Sequence, residues 1–119
     1  MMMRCIAVDD EPLALLQISK YIRKTSFLEL IGSFRNASSA LAWLQANDTD
    51  LIFADINMPG MNGIDFIHPL NKKPLVIFTT AYSEYALDGF RADATDYLLK
   101  PIGYAEFLRS AEKAYRHFQ

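Results

Sequence analysis

The sequence predicts an α/β fold in which five strands alternate with five helices. Short apolar runs of strand type alternate with segments whose apolar residues recur at helical spacing. The first, third and fourth strands of the series are apolar throughout, which is typical of parallel strands covered on both faces. Because the chain has 119 residues, we expect one domain, residues 1–119, without a cleft between two lobes.

Each predicted element has a local reason to begin or end. The predicted strands lie at 4–8, 28–34, 51–54, 75–78 and 94–99. The predicted helices lie at 13–24, 37–44, 64–70, 84–91 and 104–118. Acidic residues end strand 1, Asn36 is a suitable N-cap for helix 2, and Lys100-Pro101 ends strand 5. Since crossovers between parallel strands are right-handed, five such units favour a flavodoxin-like (βα)5 sandwich, with a parallel sheet of order 2-1-3-4-5.

Composition and charge exclude several classes of protein. The net charge is -2 and no stripe of Lys and Arg is present, so this chain alone is a poor nucleic-acid binder. The longest uninterrupted apolar run, 40–44, is too short to span a membrane, and acids at 9–11 come too early for a signal peptide. Cys5 is the single cysteine, which excludes an internal disulfide and, without a CxxC pattern, a zinc module. We expect a cytoplasmic protein.

Distinctive polar residues follow four of the predicted strands. Strand 1 is followed by Asp9-Asp10-Glu11 and strand 3 by Asp55-Ile56-Asn57. Strand 4 leads to Thr79-Thr80, and strand 5 leads to Lys100-Pro101. Because the carboxyl ends of parallel strands lie at one edge of the sheet, the order 2-1-3-4-5 brings these residues together.

Each of these residues also has an ordinary structural interpretation. Asp10 could cap the first helix, Asp55 could cap a turn, and Lys100 could be a surface lysine.

Taken together, three clustered carboxylates repel one another, and oxygen ligands of this kind suit Mg²⁺. A carboxylate nucleophile, Mg²⁺, a lysine and the Thr80 hydroxyl form a set for phosphoryl transfer that yields an aspartyl phosphate. The Lys100-Pro101 bond is a candidate for the cis form, which would aim the lysine inward.

These residues resemble the signature of a response-regulator receiver domain of two-component signalling. The resemblance rests on Asp9-Asp10, Asp55, Thr80 and Lys100-Pro101, together with the loop at 55–63, and it covers essentially the whole chain. The stretches 78–90 and 96–102 are most similar to receivers of the LytTR class, which usually precede a β-rich DNA-binding domain. No such domain is in this chain.

The resemblance implies a phosphorylation site that uses Mg²⁺. Asp55 corresponds to the phosphoacceptor, and Lys100 to the lysine of the site. Asp10 corresponds to a direct Mg²⁺ ligand, Asp9 to a ligand acting mainly through water, and Asn57 to the residue whose backbone carbonyl binds the metal. The expected phosphodonor is the phosphohistidine of a sensor histidine kinase. The chain would be no enzyme beyond catalysing its own phosphorylation and slow dephosphorylation.

The resemblance also implies a conformational switch and a surface that responds to it. Thr80 corresponds to the switch hydroxyl and Tyr97 to the switch aromatic residue. The output face would consist of helix 4, strand 5 and helix 5, where predicted helix 4 carries a wide apolar surface. We expect this face to mediate homodimerisation, with DNA bound only through an output domain that is absent from this chain. The alternative is that the apolar side chains of helix 4 all turn inward.

A phosphohydrolase of the haloacid-dehalogenase type is the main alternative function. Such an enzyme would also use Asp55 as its nucleophile at a strand end. It needs a second acid two residues later as general acid and base, and Asn57 occupies that position. Nucleotide binding is disfavoured because the sequence has neither a GxGxxG motif nor a P-loop.

Overall fold

The computed structural model describes residues 1–58, 74–82 and 94–119. Five parallel strands form one sheet of order β2-β1-β3-β4-β5. The strands are β1 (Met3–Val8), β2 (Leu28–Phe34), β3 (Leu51–Asp55), β4 (Leu75–Thr80) and β5 (Asp96–Leu99). The described helices are α1 (Pro12–Lys24), α2 (Ala37–Leu44) and α3 (Tyr104–Phe118), where α3 is the fifth helix of the predicted series. The predicted fold class and strand order are confirmed, whereas the helices predicted at 64–70 and 84–91 lie outside the described residues.

The alternation of side chains along the strands divides the core into two apolar clusters. Successive residues of a strand point to opposite faces of the sheet, so each central strand supplies both clusters. One cluster packs against α1 and α3, and its strand residues include Cys5, Ala7, Leu51, Phe53 and Ile77. The other includes two buried alanines of α2 and the strand residues Ile6, Val8, Ile52, Ala54 and Phe78. This double coverage explains why strands 1, 3 and 4 are apolar throughout.

The boundaries of the described elements lie within two residues of their predicted positions and follow local sequence signals. The Asn36 side chain accepts a hydrogen bond from the Ser39 backbone N–H at 2.8 Å, which confirms the predicted N-cap of α2. The interpretation of Asp10 as the cap of α1 is wrong, since Glu11 occupies the N-cap position ahead of Pro12. β5 begins at Asp96 and not at residue 94, because the ladder with β4 starts with the pair Ile77 and Asp96.

Cys5 lies in β1, an interior strand of the sheet. It is fully buried in β1 and pairs with Leu30 of β2 on one side and with Leu51 of β3 on the other. Burial strongly raises the pKa of the Cys5 thiol. The thiol is therefore a small apolar core group, as its position in an apolar run predicts.

Candidate functional site

The carboxyl ends of four strands place the predicted site residues at one edge of the sheet. Asp9 directly follows β1, and its backbone N–H donates to the Phe34 carbonyl at 3.1 Å. Asp55 is the last residue of β3 and pairs with Thr79 of β4. The Lys100 backbone N–H donates to the Thr80 carbonyl at 2.7 Å, which continues the ladder between β4 and β5. Backbone pairing within the sheet therefore fixes the positions of Asp9, Asp55 and Lys100, whose side chains were predicted to form the site.

Lys100 reaches into a cluster of acidic side chains. Its Nζ lies 2.9 Å from Asp9 Oδ2, 3.0 Å from Glu11 Oε1 and 3.7 Å from Asp55 Oδ2. Asp9 Oδ2 accepts no hydrogen bond of good geometry within the described part of the chain, so its contact with Lys100 is an ion pair. The Lys100-Pro101 bond is cis, the form for which the sequence makes it a candidate. One ammonium group thus joins acids that follow β1 to the acid that ends β3.

Three carboxylates in this cluster are close enough to share a cation. Asp9, Asp10 and Asp55 each offer an oxygen, and these oxygens lie within 4.8 Å of one another. Asp9 and Asp55 are buried and Asp10 is half-buried, so the group faces a partly enclosed space. The donor set contains oxygen atoms alone, which fits Mg²⁺ better than a metal that prefers nitrogen or sulfur ligands.

Burial and neighbouring charges shift the pKa of both members of the Asp55–Lys100 pair. Burial raises the pKa of Asp55 to about 6, the Lys100 ammonium opposes this rise, and the Asp9 carboxylate adds to it. Burial by itself lowers the pKa of Lys100, but the carboxylates of Asp9 and Glu11 outweigh it and the net shift is upward. Lys100 therefore stays charged, while Asp55 ionises at a cost to the folded state.

This cost predicts that Asp55→Asn stabilises the metal-free protein at neutral pH. The pKa of Asp55 is about 6 in the folded chain and ordinarily 3.8, so above pH 6 its ionisation lowers the free energy of unfolding. We expect the Asn variant to be more stable by about 3 kcal/mol at pH 7.5 with a chelator present. The gain should shrink as the pH falls from 6 and disappear below 3.8.

Urea unfolding at several pH values measures this difference. Asp48→Asn is the matched control, because Asp48 is an exposed acid on the connection before β3. A gain in stability that stays the same from pH 4 to pH 8 would contradict the assignment of its origin to the Asp55 charge.

Asn57 lies at the acidic cluster, whereas Thr80 and Tyr97 are not among the residues that line its cleft. Asn57 lines the same cleft as the acids, and its backbone N–H donates to Asp55 Oδ1 at 3.2 Å. Thr80 is fully buried, and its Oγ1 accepts a hydrogen bond from the Tyr82 backbone N–H at 3.0 Å. The Tyr97 ring packs against the core cluster that contains α2 residues, and its buried hydroxyl has no hydrogen-bond partner among the described residues.

Glu11 is a member of the cluster that the sequence analysis did not assign to the site. Its carboxylate accepts a hydrogen bond from Lys100 Nζ at 3.0 Å. The signal in the sequence was the run of three consecutive acids after strand 1. Asp9 and Asp10 were already assigned as metal ligands, so no chemical role was predicted for Glu11.

The acidic cluster opens into a cleft of about 220 Å³. Residues from all four strand ends line it: Asp10, Glu11, Asp55, Asn57, Ala81, Tyr82 and Lys100. A cleft of this size admits a small anionic group beside the carboxylates. Among the described residues, no helix has both the length and the apolar character needed to cross a membrane.

Comparison with known proteins finds one family along most of the chain. The family described as "Response regulator receiver domain" matches residues 5–112. Transcriptional regulatory protein YpdB of Escherichia coli strain K12 is 38% identical over 102 residues, which cover 83% of this chain and 42% of YpdB. Transcriptional regulatory protein LytR of Staphylococcus aureus strain N315 is 34% identical over 114 residues, which cover 93% of this chain and 46% of LytR.

A solved structure extends this similarity to three dimensions. The crystal structure of the response regulatory domain of protein MrkE from Klebsiella pneumoniae is 35% identical and superposes with a TM-score of 0.86. The match covers 98% of both chains. The chain spans less than half the length of YpdB and LytR.

Proposed function

Because the chain belongs to the response regulator receiver domain family, we propose that Asp55 accepts a phosphoryl group from the phosphohistidine of a sensor histidine kinase. The observation that carries this proposal is the placement of Lys100 against Asp9, Glu11 and Asp55 at the carboxyl edge of the sheet. The family match also favours this function over the phosphohydrolase alternative.

The chemistry follows from the charges in the cleft. An oxygen of the ionised Asp55 carboxylate attacks the phosphorus atom, the bond to the donor's imidazole nitrogen breaks, and an acyl phosphate forms. Lys100 supplies a fixed positive charge to the phosphoryl oxygens. Asp9, Asp10, Asp55 and the Asn57 carbonyl would hold Mg²⁺, and the bound ion would offset the negative charge of the carboxylates and the phosphoryl group. The chain acts as a catalyst only toward its own phosphorylation and the slow loss of that group.

Incubation with acetyl phosphate tests the proposal without a kinase. We expect the purified chain to gain one phosphoryl group by intact-mass spectrometry when Mg²⁺ is present, and none when a chelator replaces it. The phosphorylated form should persist while excess acetyl phosphate remains largely unconsumed. Rapid turnover of acetyl phosphate, or of a phosphate monoester, without a stable adduct would support the hydrolase instead.

Thr80 and Tyr97 would connect phosphorylation to the surface of the domain. In the structure described here, the Thr80 hydroxyl is engaged by the backbone of Tyr82, 3.0 Å from its N–H. A phosphoryl group on Asp55 offers new acceptor oxygens, and a Thr80 hydroxyl that turns toward them vacates space beside β5. Tyr97, whose buried hydroxyl leaves no described hydrogen bond behind, can rotate into that space. The two packings are in equilibrium, and phosphorylation of Asp55 shifts the population toward the second one.

The output face of the proposal is formed by predicted helix 4, β5 and α3. The described part of it is held as one unit, because the Ser110 hydroxyl of α3 donates to Asp96 Oδ2 of β5 at 2.6 Å. Leu99 of β5 is 50% exposed and adds apolar surface. Helix 4 lies outside the described residues. We propose that a second copy of the chain binds this face after phosphorylation.

Thr80→Ala separates the switch from the phosphoryl acceptor. We expect this variant to be labelled by acetyl phosphate nearly as fast as the unmodified chain, because Asp55, Lys100 and the acids are unchanged. Its dimer in beryllofluoride, a phosphoryl mimic, should be roughly tenfold weaker by sedimentation equilibrium, since the coupling hydroxyl is gone. Equal beryllofluoride-induced dimerisation of the two proteins would argue against the switch.

The whole protein would be a cytoplasmic regulator of transcription. YpdB and LytR are named transcriptional regulatory proteins, and this chain spans less than half the length of each. We propose that an output domain outside this chain binds DNA and that the receiver controls it. The receiver itself has a net charge of -2, so DNA affinity is not expected from this chain alone.

A further inference from the structure

Tyr21 of α1 is bonded to the segment that carries Lys100. Its hydroxyl donates a hydrogen bond of 2.8 Å to the carbonyl oxygen of Ile102, two residues after Lys100. Ile102 is buried in the cluster between the sheet, α1 and α3. The bond therefore joins the first helix to the connection between β5 and α3, 81 positions away in the sequence.

A cluster of aromatic rings fixes the direction of this hydroxyl. The Tyr21 ring lies 5.3 Å from the Tyr104 ring and 5.3 Å from the Phe107 ring, measured between centroids. The Tyr104 hydroxyl is 3.0 Å from the Thr25 hydroxyl, and Thr25 in turn donates to the Tyr21 carbonyl at 2.8 Å. Tyr104 and Phe107, at the two ends of the first turn of α3, therefore both contact α1 or its C-cap residue. These contacts restrict the Tyr21 ring, so its hydroxyl has little freedom to leave the Ile102 carbonyl.

Lys100 lies between two backbone anchors. On the strand side, its own N–H donates to the Thr80 carbonyl at 2.7 Å. On the helix side, the next anchored carbonyl is that of Ile102. We expect the segment from Lys100 to Ile102 to move away from the cleft when the second anchor is lost. The contact most sensitive to such a movement is that between Lys100 Nζ and Asp55 Oδ2, because at 3.7 Å it is the longest of the three contacts that Nζ makes with carboxylates.

We propose that Tyr21 is a positioning residue that holds the Lys100 ammonium group beside Asp55 for phosphoryl transfer. This inference rests on the proposed function. Tyr21 acts through the Ile102 carbonyl and makes no described contact with the carboxylates. Its ring also lines a surface cleft of about 270 Å³ on α1, with Leu13, Leu16, Gln17 and Lys20.

Tyr21→Phe removes the hydroxyl and keeps the ring contacts. Tyr115→Phe is the matched control, because the Tyr115 hydroxyl also donates to a backbone carbonyl, that of Met1 at 2.7 Å. Two readouts are taken on both folded variants: the rate of labelling by acetyl phosphate at saturating Mg²⁺, and the NMR shifts of the Lys100 amide and side-chain resonances without any phosphodonor. Thermal unfolding records the loss of stability that each hydroxyl causes.

We expect Tyr21→Phe to label about fivefold more slowly and to shift the Lys100 resonances. Tyr115→Phe should show neither effect, and it should lower the unfolding temperature less, because its hydroxyl bonds to the exposed residue Met1. Unchanged Lys100 resonances in Tyr21→Phe, or an equal slowing in both variants, would overturn the positioning role. If the unmodified chain is not labelled at all, the proposed function fails, and the Lys100 resonances alone still decide whether Tyr21 positions this lysine.

Discussion

Asp55→Ala is expected to abolish phosphorylation of the chain by acetyl phosphate. The substitution removes the carboxylate that attacks phosphorus, and the acids nearby are poor substitutes for it. Asp9 is buried and paired with Lys100 at 2.9 Å, and Asp10 is one of the three acids proposed to hold the metal. We expect intact-mass spectrometry to show labelling reduced at least about 100-fold, the usual scale for loss of an essential catalytic group.

The matched control for this substitution is Asp48→Ala, which removes an exposed acid from the connection before β3. The control should be labelled at the rate of the unmodified chain. Peptide mapping of the labelled protein should place the phosphoryl group on Asp55. Labelling of Asp55→Ala to the same extent as the unmodified chain would disprove the assignment of the acceptor.

Lys100→Met is expected to impair both phosphorylation and folding. The variant leaves Asp9 buried without its ion-pair partner, an arrangement that costs about 3 kcal/mol of folding stability when one member of a buried pair is removed. It also removes the positive charge from the phosphoryl oxygens in the transition state, so we expect labelling to fall by about 100-fold. Saturating Mg²⁺ should restore part of the stability because it offsets the same negative charges.

Two further variants separate these effects. Lys113→Met removes an exposed lysine of α3 and should change neither quantity. Lys100→Arg keeps the positive charge, so this variant should fold. The planar guanidinium of arginine is wider than the compact ammonium group that contacts three carboxylates in the unmodified chain. We therefore expect the labelling of Lys100→Arg to fall as well. Labelling of Lys100→Arg and Lys100→Met at the rate of the unmodified chain would show that this lysine has no part in the transfer.

The fold was largely predictable because its strands are short apolar runs with polar ends. β2 and α3 match their predicted bounds, and Asn36 caps α2 as its side-chain chemistry requires. The start of β5 was predicted two residues too early. Ala94 and Thr95 are compatible with a strand, and only the register with β4 determines where the ladder begins.

The site was predictable to the extent that strand order dictates proximity. Asp9, Asp10, Asp55 and Lys100 meet because their strands are neighbours in the sheet. Right-handed crossovers leave few strand orders for five such units, and the flavodoxin-like order fits them best. The contact of Glu11 with Lys100 and that of Tyr21 with Ile102 were not predicted. Each joins residues more than eighty positions apart through side-chain geometry, which leaves no periodic signal in the sequence.

The buried thiol of β1 makes the chain its own reporter of unfolding. Cys5 is the only cysteine, it is fully covered, and its raised pKa keeps it protonated. A thiol reagent can therefore modify it only in molecules whose sheet has opened. The rate of modification counts those rare openings under native conditions, without denaturant and without an attached label. Addition of Mg²⁺ or beryllofluoride should slow it in proportion to the stability that each ligand contributes.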